Sequence, residues 1–129
     1  MKATELQIGD YVNYRGQIIK VTSLYDKGGS NEVGWSDKEY EWVNGRCIEP
    51  IPLTPEILEK NGFEWTTRKS YMVACIGTVR MIWGFYKDCL SISDHSDDGE
   101  CQISSLKCKF VHELQHTLRL CGIDKTIEL

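Results

Sequence analysis

The segment His112-Glu113-Leu114-Gln115-His116 has the residue types and spacing of a zinc-hydrolase helix. Two histidines at this spacing lie on one face of a helix and can both reach a metal ion, while a glutamate beside the first can take a proton from metal-bound water. One hypothesis is therefore a zinc-dependent hydrolase, with His112 and His116 as metal ligands and Glu113 as the general base. Zinc would be a cofactor under this hypothesis only.

Two features of the sequence argue against a zinc site. A catalytic zinc ion has three protein ligands, but Arg119 and Gly122 stand where longer zinc motifs carry a glycine and a third histidine. At about 100° per residue, the two histidines also fall on the polar side of the helix, away from Leu114 and Leu118. The helical phase predicts solvent-exposed histidines. Together with the missing third ligand, it leads us to predict no catalytic residue and no cofactor.

A second possible metal site begins at Asp94, where the sequence DHSDDG follows the start of a calcium-binding loop. Oxygen-bearing side chains stand at its first, third and fifth positions, but Ser105 takes the place of the bidentate glutamate at the twelfth. We therefore interpret residues 94 to 100 as an acidic turn between strands. The six cysteines show no C-x-x-C spacing and are interpreted as reduced thiols.

The elements that would carry these residues divide the chain into two parts, the first covering residues 1 to 53. Here β-branched and aromatic residues on both sides of Arg15-Gly16 predict a hairpin over residues 7 to 24. Short strands separated by tight polar turns are typical of a small SH3-like β-barrel, which is the fold that we predict for this part. Its further strands are predicted at residues 32 to 36 and 41 to 43.

Residues 54 to 129 are predicted to form an α+β segment. Thr54 can cap a helix that has Pro55 at its first position and that ends at Asn61-Gly62. An antiparallel meander follows, and a C-terminal helix from about residue 106 to residue 121 is predicted to pack on that sheet. The predicted fold class is thus α+β, and the two parts can share one core.

Aromatic side chains are dense in the predicted barrel, and we assign a partner-binding role to five of them. They are Tyr11, Tyr14, Trp35, Tyr40 and Trp42. The acidic residues between them favour a basic or proline-rich protein partner. The sequence therefore favours a non-enzymatic protein-interaction module, which we expect to be a monomer or a dimer.

A nucleic-acid-binding barrel is the remaining alternative. The net charge of −4 disfavours it, because binding to phosphates depends on a clustered positive surface. Six basic residues would have to converge on one face, namely Arg15, Lys20, Arg46, Arg68, Lys69 and Arg80.

The composition predicts a soluble globular protein. Hydrophobic residues make up 41% of the 129 residues and charged residues 26%, values that are ordinary for a folded domain. The N-terminal sequence MKATELQ lacks the apolar core of a secretory signal, and no apolar run approaches the length of a membrane span. We therefore expect a cytoplasmic protein without a membrane segment.

Two segments resemble a known group of proteins. They are residues 51 to 63, IPLTPEILEKNGF, and residues 110 to 118, FVHELQHTL. Together they are similar to short uncharacterised proteins of Bacteroides-type bacteria, their prophages and conjugative elements, which pair a P-L-T-x-x-x-L-x-x-x-G-F helix with a C-terminal V-H-x-L-Q-x-L helix. The resemblance implies an origin in a phage or mobile element and no assigned activity. It also implies that the positions of Glu113 and His116 vary, as in a structural helix.

Overall fold

The structure, a computed structural model, describes residues 1–26, 28–35, 42–67, 69–84, 87–96 and 99–129, with the side chains of 96 and 99–104 left aside. The described residues form a mixed α+β fold with mostly antiparallel sheets and two α-helices, and the sequence predicts this fold class. The chain forms two compact units. The first unit comprises Met1–Pro52 and Phe110–Leu120, and the second comprises Leu53–Lys109 and Cys121–Leu129.

The helices and strands are short, and most of them are joined by tight turns. In chain order they are β1 (Tyr11–Tyr14), β2 (Gln17–Lys20), β3 (Ser23–Tyr25), β4 (Glu32–Gly34), β5 (Trp42–Asn44), β6 (Ile48–Glu49), α1 (Pro55–Lys60), β7 (Glu64–Trp65), β8 (Tyr71–Ile76), β9 (Val79–Gly84), β10 (Cys89–Ser96), β11 (Gly99–Lys107) and α2 (Val111–Leu120). Two 3-10 helices, Ala3–Glu5 and Gly45–Cys47, complete the set. None of the described helices has the length and apolar character needed to cross a membrane.

The first unit contains two three-stranded antiparallel sheets, with strand orders β2-β1-β6 and β3-β4-β5. The predicted hairpin is confirmed, since β1 pairs with β2 through a turn in which Arg15 and Gly16 have φ of 50° and 81°. Positive φ at both positions belongs to the turn type that matches the twist of a hairpin. The buried cluster of this unit consists of Leu6, Val12, Ile19, Val21, Val33 and Ile48.

The SH3-like barrel predicted for residues 1 to 53 is not confirmed. A barrel closes when hydrogen-bonded strands continue around a full circle. Among the described strands, the ladders of β2-β1-β6 and β3-β4-β5 belong to separate sheets, and neither sheet closes on itself. The predicted strands are present, but they form two open sheets.

The second unit is built on one five-stranded antiparallel sheet, with strand order β11-β10-β9-β8-β7. One face is apolar and buried: it carries Met72, Trp83 and Leu90 in one row across the strands and Ala74, Met81 and Ile92 in the next. Helix α1 is confirmed where the sequence predicts it, because the Thr54 hydroxyl accepts the Ile57 N–H at 3.3 Å and Gly62 ends the helix with φ of 89°.

Two sequence predictions about the second half need correction. The stretch interpreted as an acidic turn is largely strand, since β10 extends to Ser96 and β11 begins at Gly99. The C-terminal helix begins at Val111 instead of residue 106, because the residues before it continue β11 to Lys107. This helix also groups with residues 1 to 52, whereas the sequence prediction placed it on the meander.

Candidate functional site

The HELQH segment lies in α2, and its surroundings are organised by a buried carboxylate. The side chain of Asp10, just before β1, is 0% exposed. Its Oδ2 accepts hydrogen bonds from the Gln7 N–H and from Nε2 of His116, each at 2.7 Å, and its Oδ1 accepts one from Arg119 at 2.8 Å. Because a carboxylate only accepts hydrogen bonds, Nε2 of His116 carries a hydrogen in this contact. One acidic group therefore holds two positions of α2.

Gln115 strengthens the same attachment. Its side-chain amide donates to the Gly9 carbonyl at 3.0 Å and its amide oxygen accepts the Tyr11 N–H at 2.9 Å. The two backbone groups belong to the residues on either side of Asp10. We call Asp10, Gln115, His116 and Arg119 the Asp10 clamp. It fixes α2 to the start of β1 through the buried side chains of Asp10 and Gln115 and the more exposed ones of His116 and Arg119.

Glu113, the general base of the hydrolase hypothesis, performs a helix-capping role. Its Oε2 accepts the backbone N–H of Phe110 at 3.0 Å. Phe110 directly precedes the first helical residue, so Glu113 is the third residue of the helix, the position from which a glutamate reaches back in a capping box. The carboxylate thereby satisfies a backbone donor that the helix itself leaves without a partner.

His112 is buried, with 6% of its surface exposed. Its ring stacks on Phe110 at a centroid distance of 5.9 Å, and it meets the ring of His116 edge-on at 5.6 Å. Within the described part of the chain, Nδ1 of His112 has no hydrogen-bond partner. The prediction of two solvent-exposed histidines is therefore wrong for His112, and the side chain of His116 is only 22% exposed. Helical phase fails here because α2 is buried on more than its apolar face.

Two residues of the HELQH motif are engaged in contacts within the protein. Nε2 of His116 is bound to Asp10 and Glu113 caps the helix, so two of the three motif residues have structural partners. Across the described residues, no three side chains of histidine, cysteine, aspartate or glutamate are grouped so that they could hold a metal ion. The geometry thus gives the motif a different use, which is to attach one helix to one strand.

Burial makes the stability of the fold sensitive to pH through His112. Desolvation lowers its pKa, and His116 lowers it further, against the opposing effects of Glu113, Asp10 and Glu5. Since the unfolded chain binds this proton more tightly, stability is fully present above about pH 6.5 and is lost as pH falls below it. We expect the free energy of unfolding, measured by urea denaturation, to fall more steeply between about pH 7 and about pH 5 in the wild type than in His112→Phe.

The matched control for this measurement is His95→Gln, because His95 is exposed at its strand position. This variant should keep the wild-type dependence on pH. Equal slopes for the wild type and His112→Phe would contradict the assignment of the effect to the buried ring.

The five predicted partner-binding aromatics are distributed over different environments. Tyr14 and Trp35 form a ring pair at 5.0 Å and pack, partly buried, against the core of the first unit. Tyr11 is half-buried in β1. Trp42 is 38% exposed, and Tyr40 lies outside the described residues. Of the four that are described, Trp42 is thus the most open to a partner.

Trp42 has a neighbour, Tyr25, that is not one of the five predicted partner-binding residues. The ring of Tyr25, 44% exposed, meets the Trp42 ring edge-on at a centroid distance of 6.4 Å. The two residues lie on the outer strands of the sheet β3-β4-β5. The alternation of side chains along these strands could have identified Tyr25. Leu24 and Val43 pack against the core, so the residues next to them in sequence must face outward.

The chain matches no protein-family model, no curated protein and no solved structure. Its function is therefore inferred from its own residues. The basic residues of the nucleic-acid alternative are divided between the units: Arg15, Lys20 and Arg46 lie in the first, and Lys69 and Arg80 lie in the second. Arg68 lies outside the described residues. Within the first unit, Arg15 is engaged over the ring of Tyr14 at 5.3 Å.

Proposed function

We propose that the protein is a non-enzymatic protein-interaction module that binds a basic or proline-rich segment of a partner protein. The observation that carries this proposal is the exposed aromatic pair of Tyr25 and Trp42 on the outer face of the sheet β3-β4-β5. Both side chains are more than one-third exposed, and exposed aromatic faces receive cationic side chains and proline rings.

The strand register places small and acidic residues around this pair. Gly34, which has no side chain, is paired with Trp42 across β4 and β5, and Glu32 is paired with Tyr25 across β3 and β4. Asp26 follows Tyr25 and is exposed. An aromatic surface bordered by carboxylates favours a partner that carries lysine or arginine, because opposite charges accelerate encounter and select the partner.

The Asp10 clamp supports a binding role over a catalytic one. The histidine and glutamate that would act in a hydrolase hold α2 in place and cap it. An origin in a phage or mobile element rests on the sequence resemblance and remains a prediction. A host protein with a basic, extended segment is the kind of partner that fits both the surface and this origin.

The proposal is tested by Trp42→Ala on an array of synthetic peptides that contain spaced arginine, lysine and proline residues. We expect the wild type to bind a subset of basic or proline-containing peptides and Trp42→Ala to lose about 30-fold or more in affinity, as at the centre of an interface. Fluorescence titration of the selected peptides measures the effect.

Trp65→Ala is the matched control, because Trp65 is 36% exposed but belongs to the second unit. It should bind the selected peptides as the wild type does. The proposal fails if acidic peptides bind as well as basic ones, or if Trp65→Ala reduces the affinity as strongly as Trp42→Ala.

A further inference from the structure

We propose that the open face of the five-stranded sheet in the second unit binds a small organic anion. A cavity of about 370 Å³ lies on this face, between the start of β8 and the C-terminal part of β11. Its lining includes an aromatic ring, an aliphatic side chain, a lysine, a thiol and hydroxyl groups. The site is separate from the aromatic pair of the first unit, and it goes beyond the function proposed above.

The register of the strands explains how these groups come together. Tyr71, Gly84 and Cys89 are paired across β8, β9 and β10, while Ile82, Ser91 and Ser105 form the adjacent row across β9, β10 and β11. Side chains in a strand alternate between the two faces. Because Trp83 and Leu90 point to the buried face, the residues next to them in sequence point to the open one. The pairing of the strands therefore places these lining residues next to one another on the open face.

One side of the cavity is apolar and flat. A Cβ atom placed on Gly84 would lie 3.4 Å from the Tyr71 ring, so the ring lies across this glycine. Tyr71 is 51% exposed, and Ile82 on the neighbouring strand is half-buried. A glycine in a strand interior commonly marks a place where another group approaches closely. The wall formed by Tyr71 and Ile82 suits a planar or short aliphatic body.

The other side of the cavity offers hydrogen-bond donors. The Ser105 hydroxyl lies 3.1 Å from Sγ of Cys89 and 3.5 Å from the Ser91 hydroxyl. These three groups carry three hydrogens, and the two contacts between them use two. One hydrogen, on a hydroxyl or on the thiol, is therefore not used by these two contacts. Hydroxyl donors of this kind bind carboxylate and phosphate oxygens.

The charge on the lining sets the sign of the ligand. Among the described residues that line the cavity, Lys87 is the charged one. Lys107, paired with Cys89 across β10 and β11, and Asp88, next to Lys87 in sequence, are both outside the cavity lining. A lysine beside hydroxyl donors selects an oxyanion, and the apolar wall selects an organic one. Carboxylates and phosphate esters share this chemistry.

Cys89 allows a direct test, because it lines the cavity and is partly exposed. The probes are benzoate and phenyl phosphate at millimolar concentration, with benzamide as the neutral counterpart and benzylamine as the cationic one. We expect both anions to slow alkylation of Cys89 by iodoacetamide, measured by mass spectrometry of its peptide, and the uncharged and cationic probes to leave the rate unchanged. The exposed Cys75, outside the cavity lining, is the internal control and should react equally in all cases.

Lys87→Gln should weaken the protection by benzoate about tenfold or more, since a hydrogen bond to a charged group is lost. Lys87→Arg should retain it, and Lys20→Gln in the first unit should have no effect. Equal protection by benzamide, or full protection in Lys87→Gln, would overturn the proposal. Protection by phenyl phosphate alone would assign the site to phosphate esters, and protection by benzoate alone would assign it to carboxylates. Absence of protection by both anions would refute the site.

Discussion

Asp10→Ala is expected to lower the free energy of unfolding by about 2–4 kcal/mol, because it removes the buried acceptor of several hydrogen bonds and leaves the Arg119 guanidinium without its counter-charge. The Asp10 side chain is 0% exposed, while the Arg119 side chain is 37% exposed. Water can therefore solvate part of the guanidinium in the variant. This keeps the expected loss below that of a fully enclosed ion pair.

Urea denaturation of further variants separates the contributions in the Asp10 clamp. Asp10→Asn retains a carbonyl oxygen that can accept a hydrogen bond, but its amide hydrogens face other hydrogen-bond donors. We therefore expect it to lower the free energy of unfolding measurably, but by less than Asp10→Ala does. Asp124→Ala, at an exposed position, should change stability by no more than about 0.5 kcal/mol. In a double-mutant cycle, Asp10→Ala and Arg119→Ala should show a coupling of about 1 kcal/mol or more. Additive effects of the two substitutions would mean that the pair contributes nothing to stability.

Trp83→Ala is expected to cost about 3–5 kcal/mol, the range for truncating a large aromatic side chain in a core. Trp83 lies at the centre of the buried face of the five-stranded sheet with 2% of its surface exposed. Its indole Nε1–H also donates to the Cys108 carbonyl at 3.0 Å. The substitution would remove both the packing and the hydrogen bond at the end of β11.

Comparison with Trp83→Phe distinguishes these two effects. The phenylalanine keeps an aromatic ring but has no donor, so we expect a loss smaller than that of Trp83→Ala by about 2 kcal/mol. Trp65→Ala, which truncates a partly exposed ring, should cost below about 1 kcal/mol. If Trp65→Ala shifted the urea midpoint as far as Trp83→Ala, the central position of Trp83 in this core would be refuted.

Elements specified by neighbouring residues could be predicted from the sequence. The hairpin follows from Arg15-Gly16, and α1 follows from its Thr54 cap and its Gly62 stop. In both cases the deciding interaction joins residues that are close in the chain. The start of α2 could not be placed in this way, because residues 106 and 107 are good helix formers that pair instead with β10. A ladder with a distant strand overrides local preference.

The candidate sites show the same division. The spacing of His112 and His116 was visible in the sequence, but the partner of His116 is Asp10, which is 106 residues away. Helical phase alone could not reveal that a polar face would be buried against a carboxylate and two backbone groups. The role of Trp42 was predicted from composition. Its pairing with Tyr25 depends on the order β3-β4-β5, which no local pattern specifies.

The contacts of α2 determine when the first unit can finish folding during synthesis. The hydrogen bonds that the Asp10 clamp makes between α2 and the start of β1 join residues 104 to 109 positions apart in the sequence. The second unit is tied in a similar way, because Asn61 exchanges side-chain hydrogen bonds with the backbone of Glu128. Each unit is thus assembled from two separated stretches, and no single cut of the chain would release either one whole. During synthesis, the unit that contains residues 1 to 52 cannot fold completely until residues 110 to 120 have been made.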